Sequence, residues 1–172
     1  MPSSPSEEKE VSNYEDARHL ANLGLWAVDL QIKRLKRQEP EDNEFVLRRV
    51  SDFHFLVVAL IRVRRSAELV NSIVDLRSAL ERFDRDIPNL KKMRDILEHI
   101  DDYTKGRGRD TNVVVGGLFT YAFGDDVITW SEYRLNLDTA MKACETLFSE
   151  IKANPPASYA RLVAQYSLRR AQ

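Results

Sequence analysis

The stretch VLRRVSDFHFLVVALI, residues 46–61, decides the fold that the sequence predicts. Its apolar residues recur at steps of 4, 3, 4 and 3: Val46, Val50, Phe53, Val57 and Leu60. Such steps place side chains on one face of an α-helix, the pattern of a helix packed within an antiparallel bundle. Since residues 53–61 are apolar nearly all round, we expect this helix to lie at the centre of the molecule.

An earlier helix is predicted by the capping-box pattern Ser12-x-x-Glu15, in which two side chains satisfy the free backbone N–H groups of a helix start. Its apolar face is expected to pack into the core as far as about Gln38, and it consists of Leu20, Leu23, Ala27 and Leu30. Residues 1–12 combine prolines, serines and charges, and we expect them to form a disordered tail.

After the central helix, a third helical pattern runs from about Leu69 to Phe83, and Pro88 precedes a fourth helix from Asn89 to about Tyr103. The β-branched and aromatic segment 112–135 then predicts a β-hairpin around the turn Gly124-Asp125-Asp126. Asp138 is expected to cap a further helix, and a short final helix follows the prolines at 155–156.

These elements predict a mainly α protein, an up-and-down bundle of four to five main helices with an inserted β-hairpin at about 112–135. The chain has 172 residues, a length that suits one domain with a substantial core. We therefore expect a single helical domain over residues 13–172, with the hairpin as an insertion.

Charge and cysteine content exclude several classes of protein. The formal net charge of −1 argues against a general nucleic-acid coating protein, which is usually strongly basic, so any RNA contact must be local. The single cysteine excludes an internal disulfide framework and is typical of a cytoplasmic protein. The polar N-terminus does not resemble a signal peptide, and the longest apolar run is too short for a membrane span.

Chemistry concentrates in residues 91–109, where the fourth helix ends in a basic loop. The helix carries Arg94, Asp95 and His99, and the loop Lys105-Gly106-Arg107-Gly108-Arg109 follows. Histidine is the side chain most easily poised for proton transfer near neutral pH, and arginine offers a fork of donors suited to phosphate. Together these residue types indicate acid–base chemistry on a phosphodiester.

The segment from Arg94 to His99 resembles the R-x4–6-H signature of the HEPN superfamily, in which a polar residue such as Asp95 often follows the arginine. Members of that superfamily are small helical bundles, and many are metal-independent endoribonucleases of toxin–antitoxin or phage-defence systems. The resemblance covers this motif and the helical layout, and it implies an RNA substrate, a homodimer, no cofactor and an antitoxin-type protein partner.

The resemblance also implies roles for the residues. His99 would assist the attack of a 2′-hydroxyl on the adjacent phosphate, and Arg94 would stabilise the charge that develops on the phosphoryl oxygens. Asp95, four residues before His99, would orient the imidazole. Lys105, Arg107 and Arg109 would hold flanking phosphates of the RNA.

Other interpretations of the same residues stay open. Arg94 and His99 are separated by roughly 140° around an ideal helix, so Arg94 would have to reach round it, whereas it could pair directly with Glu98 on a solvated face. Aromatic residues of the predicted hairpin fit a base-stacking platform or ordinary packing onto the helices. A non-catalytic module of the same fold, used for dimerisation or partner binding, is the alternative function.

Overall fold

The computed structural model describes residues 4–37, 40, 42–109 and 120–170 of the chain. Over these ranges it contains seven helices and one three-stranded sheet, which confirms the mainly α fold with a β insertion. The helices are α1 (Pro5–Lys36), α2 (Phe45–Asn71), α3 (Arg77–Asp86), α4 (Leu90–Glu98), α5 (Ile100–Thr104), α6 (Leu137–Ala153) and α7 (Ala157–Arg170). The strands are β1 (Tyr121–Phe123), β2 (Val127–Trp130) and β3 (Tyr133–Asn136).

The first helix begins earlier than the sequence predicted. Ser4 caps α1 through a capping box in which its side chain accepts from the backbone N–H of Glu7 and the Glu7 side chain accepts from Ser4 N–H. Pro5 then stands in the first turn, where its missing N–H costs no hydrogen bond. Residues 5–12, expected to be disordered, are therefore helical; residues 1–3 lie outside the described residues.

The contact between α1 and α2 is made by small side chains. Gly24 lies so close to Val63 that a Cβ atom at position 24 would stand 2.8 Å from Val63 Cγ2. Near the other end, Arg34 Nε lies 3.0 Å from Oδ1 of the buried Asp52. Because later residues of α1 meet earlier residues of α2, the two helices run antiparallel. The buried face of α1 consists of Tyr14, Ala17, Ala21, Gly24, Val28, Ile32 and Leu35.

The predicted core face of α1 was therefore wrong. Leu20, Leu23 and Leu30 are exposed to solvent, and so is Trp26, which the sequence left as core or interface. The helix carries two apolar faces, and the core takes the one with the smaller residues because only that face lets the backbones of α1 and α2 come close.

The central position of α2 is confirmed, since twelve of its residues are buried on several sides. Of the predicted stripe, Phe53, Val57 and Leu60 are buried, Val50 is half-buried and Val46 is exposed. Phe55, within the run expected to be apolar nearly all round, is exposed as well. Arg64 is buried as well, and its guanidinium donates to both carboxylate oxygens of Asp84 on α3.

The third and fourth helical patterns differ from the prediction at their ends. The third pattern divides, because α2 continues to Asn71 and α3 begins only at Arg77. The predicted fourth helix, Asn89 to about Tyr103, is broken at His99 into α4 and α5. Asn89 precedes α4 in the left-handed conformation, with φ of 63°.

The β insertion forms an antiparallel sheet in the order β1-β2-β3, one strand more than a hairpin. Trp130 pairs with Tyr121 on one side and with Tyr133 on the other, and its ring lies 5.9 Å from that of Phe53 on α2. Lys36 at the end of α1 reaches Asp126 and Asp138, each at 2.6 Å. The sheet therefore packs on the helices; residues 112–119 of the predicted hairpin lie outside the described residues.

The sixth helix closes the core. Asn136, rather than the predicted Asp138, caps it by accepting from the N–H of Thr139. Cys144 is buried in α6, and burial raises the pKa of its thiol. Among the described residues, no helix has the length and apolarity that crossing a lipid bilayer requires.

Candidate functional site

His99 marks the break between α4 and α5. Its backbone leaves helical geometry, with φ of −121° and ψ of 28°, while its N–H still donates to the carbonyl of Asp95 at 3.1 Å. The break leaves the imidazole exposed at a junction between two short helices. A side chain in this position is accessible to a ligand from solvent.

A cavity of about 420 Å³ opens beside His99. Its helical wall is formed by residues spaced three or four positions apart, so they share one face across the break. The residues that line the cavity are Lys92, Asp95, Ile96, His99, Asp102, Tyr103, Arg107, Gly108 and Arg109. The structure thus brings Asp95, His99, Arg107 and Arg109 of the sequence-predicted site together.

Two glycines hold the basic loop against this wall. Gly106 has a φ of 69°, a conformation that favours glycine, and its N–H donates to the Tyr103 carbonyl at 3.0 Å. Gly108 lies flat against the Tyr103 ring, where an added Cβ would stand 2.1 Å from Cδ1. Between them, the N–H of Arg107 donates to the carbonyl of Asp102 at 2.8 Å. The spacing of the glycines therefore places Arg107 and Arg109 at the cavity.

The cavity wall is mixed in charge, with a cationic excess. Lys92, Arg107 and Arg109 face Asp95 and Asp102, and His99 adds a further positive charge when it is protonated. Arg107 lies 3.6 Å from Asp102, a loose ion pair whose side chains are both substantially exposed. An exposed pair of this kind contributes little free energy in water, because solvent and salt screen the two charges.

Arg94 is not among the residues that line the cavity. Its guanidinium donates to Glu98 at 2.7 Å and lies 2.8 Å from Asp95, so two carboxylates neutralise it. Its Nε is buried and finds no hydrogen-bond acceptor among the described residues. The separation of roughly 140° around the helix explains why Arg94 lies away from the histidine's face.

Asp95 connects the two sides of α4, since it lines the cavity and pairs with Arg94. Within the described part of the chain, the hydrogen bonds to its carboxylate include none from the His99 ring. Lys105, the remaining predicted site residue, is exposed and lies 3.4 Å from Asp101, which lowers the pKa of that carboxyl. Lys105 does not line the cavity.

Lys92 and Tyr103 line the cavity, although neither was predicted from the sequence as a member of the site. A heptad-like spacing was the available signal, because Lys92, His99 and Tyr103 follow at steps of 7 and 4. Such a step pattern marks one side of a continuous helix. The pattern holds here although the helix is broken at His99, because the residues on both sides of the break line the same cavity.

The predicted sheet aromatics do not line this cavity. Ile128 and Trp130 are buried, and the Tyr121 ring lies between those of Phe123 and Trp130, at 5.8 and 6.1 Å. Packing onto the helices therefore accounts for these side chains; Phe119 lies outside the described residues. In the described ranges, no three His, Cys, Asp or Glu side chains gather as a metal ion would require.

Comparisons of the chain with protein-family models, with curated proteins and with solved structures give no match. The HEPN-like resemblance of the motif therefore stays a prediction.

Proposed function

We propose that the protein is a HEPN-like, metal-independent endoribonuclease whose reaction centre is the cavity beside His99. The observation that carries the proposal is that His99, Arg107 and Arg109 line one cavity, which is open to solvent and large enough for a nucleotide phosphate and its sugar. A proton acceptor assists cleavage of RNA by its own 2′-hydroxyl, and guanidinium groups stabilise the charge that develops on the phosphate.

In this reaction the 2′-hydroxyl gives its proton to the His99 imidazole and its oxygen attacks the adjacent phosphorus. The bond from phosphorus to the 5′-oxygen breaks, and that oxygen takes a proton from a water molecule. The hydroxide that remains takes the proton back from His99, which restores the imidazole. The products are a 2′,3′-cyclic phosphate and a 5′-hydroxyl. Arg107 and Arg109 donate to the non-bridging oxygens, where negative charge develops in the transition state.

Arg94 has a different role in this proposal from the one that its motif predicts. Because it pairs with Asp95 and Glu98, it holds the Asp95 carboxylate in the cavity wall and does not contact the phosphate. Contact with the phosphate belongs to the loop arginines. Lys105 lies on the same loop and attracts more distant parts of the RNA backbone.

The test is cleavage of single-stranded RNA by the full chain in the presence of EDTA. We expect His99→Ala to lower the cleavage rate at least about 100-fold, the scale of a lost general base. His19→Ala is the matched control, since His19 is exposed on α1 and does not line the cavity. RNA with a 2′-deoxy sugar at the scissile position should resist cleavage. Failure of the wild-type protein to cleave RNA would contradict the proposal.

The roles of Arg94 and Arg109 are separated by their kinetic signatures. Arg109→Ala should raise KM and reduce the salt dependence of binding, since it removes a phosphate contact. Arg94→Ala should lower kcat with little change in KM, because the Asp95 carboxylate loses the partner that holds it in the cavity wall. A raised KM with an unchanged kcat in Arg94→Ala would contradict the positioning role.

The second candidate is a non-catalytic module of the same fold that binds a protein partner. The ion pairs of the segment favour it, since Arg94, Lys105 and Arg107 each have a carboxylate neighbour. This candidate predicts no RNA cleavage and no effect of His99→Ala on growth when the protein is expressed in a host cell. The ribonuclease proposal predicts toxicity that His99→Ala relieves, and an antitoxin-type partner that would neutralise it.

A further inference from the structure

The outward side of α1 carries apolar residues between two opposite charges. In chain order its residues are Asp16, Leu20, Leu23, Ala27, Leu30 and Arg34, which we call the α1 stripe. The steps between them are 4, 3, 4, 3 and 4, which keep all six on one face of the helix. The three leucines are exposed by 49%, 59% and 53% respectively.

Leucines at these steps form the seam of helices that pack side by side through their a and d positions. In this chain the three leucines of the seam are open to solvent, because the core already occupies the small-residue face around Gly24, whereas Ala27 is half-buried against the core. Trp26, 67% exposed, extends the apolar surface beside the stripe. The exposed area of these four large side chains is on the order of 400 Å², as large as the largest apolar patch of a typical monomer.

The positions of the stripe are spaced symmetrically about position 25. If two copies of α1 run antiparallel about that midpoint, Leu20 of one meets Leu30 of the other, and Leu23 meets Ala27. Asp16 then meets Arg34, so opposite charges close both ends of the contact. A parallel pairing would instead set Asp16 against Asp16 and Arg34 against Arg34, which like-charge repulsion disfavours.

We propose that the α1 stripe binds the same stripe of a second copy of this chain, in the antiparallel register centred on position 25. The charged residues at both ends of the stripe reach the surface. Asp16 is exposed, and the Arg34 side chain is 54% exposed although its Nε lies beside Asp52.

The pairing does not rest on the proposed ribonuclease function, since none of its residues lines the cavity beside His99. A monomer that cleaves RNA would refute the pairing alone, and a dimer without cleavage would refute the activity alone. The two proposals therefore fail separately.

Sedimentation of the full chain over a range of concentrations tests the pairing. The wild-type protein should be a dimer, and Leu23→Glu should weaken the dimer at least about tenfold, since it places two charges in the seam. Val46→Glu is the matched control, because Val46 is also an exposed apolar residue, at 57%, and lies on α2. Circular dichroism confirms that each variant is folded. A monomeric wild type, or a Leu23→Glu dimer as strong as the wild type, would overturn the proposal.

Cysteine cross-linking tests the register. Under mild oxidation, a Leu20→Cys/Leu30→Cys double variant should form covalent dimers, because the antiparallel register brings the two positions together between copies. Within one chain they are about 15 Å apart along the helix, too far for a disulfide. Leu20→Cys alone should not cross-link, and the native Cys144 is buried. Covalent dimers from the single variant, or none from the double variant, would overturn the antiparallel register.

Discussion

The contact between α1 and α2 and the cavity beside His99 are built in opposite ways. In the contact, Gly24 and Val63 are pressed together, and position is set by close packing of apolar atoms. At the cavity, a helix break and two glycines hold exposed polar side chains. The difference predicts that substitutions in the contact change the free energy of unfolding, whereas substitutions at the cavity change binding and cleavage.

The largest loss of stability is expected for Gly24→Leu. The new side chain would overlap Val63 and force α1 away from α2, at a cost of about 3 kcal/mol in the free energy of unfolding. Chemical denaturation measures the loss. Because a backbone atom, Val63 N, would also lie only 3.3 Å from the new Cβ atom, Val63→Ala should recover only part of it. Strictly additive losses in the double variant would show that the contact is not the cause.

A smaller loss is expected at the cavity for Gly108→Ala. The added methyl group meets the Tyr103 ring, but the loop is exposed and can move, so we expect a cost of about 1 kcal/mol. The same movement displaces Arg107 and Arg109, and the RNA cleavage rate should fall more than the stability does. Denaturation and cleavage are measured on the same preparation. If Gly108→Ala lost the expected stability but cleaved RNA as fast as the wild type, the distinction between the two regions would be wrong.

The acid dependence of stability should show the smallest effect, less than about 1 kcal/mol because the Asp84 carboxylate is partly exposed. The Arg64 guanidinium beside Asp84 holds the pKa of that carboxyl below its ordinary value of 3.8. A depressed pKa in the folded state stabilises the protein above pH 3.8, and the contribution is lost as the pH falls further. Denaturation at several pH values should show a shallower acid decline for Asp84→Asn than for wild type.

The site was only partly predictable from the motif. The motif named His99 and the basic loop after it supplied Arg107 and Arg109, and all three line one cavity. The motif also named Arg94, which lies away from the cavity because a separation of five residues turns it roughly 140° around the helix. Lys92 and Tyr103 were missed because a motif defined by two residues ignores the helical face on which they lie.

The sequence by itself determined the helical body, the central place of α2 and the β insertion, because periodicity and turn residues act within short stretches of chain. Only the tertiary structure decided which apolar face of α1 enters the core. Leucine content favoured one face, whereas close approach to α2 required the small residues around Gly24. That choice depends on a partner helix some forty residues away, and it leaves the leucines of α1 on the surface.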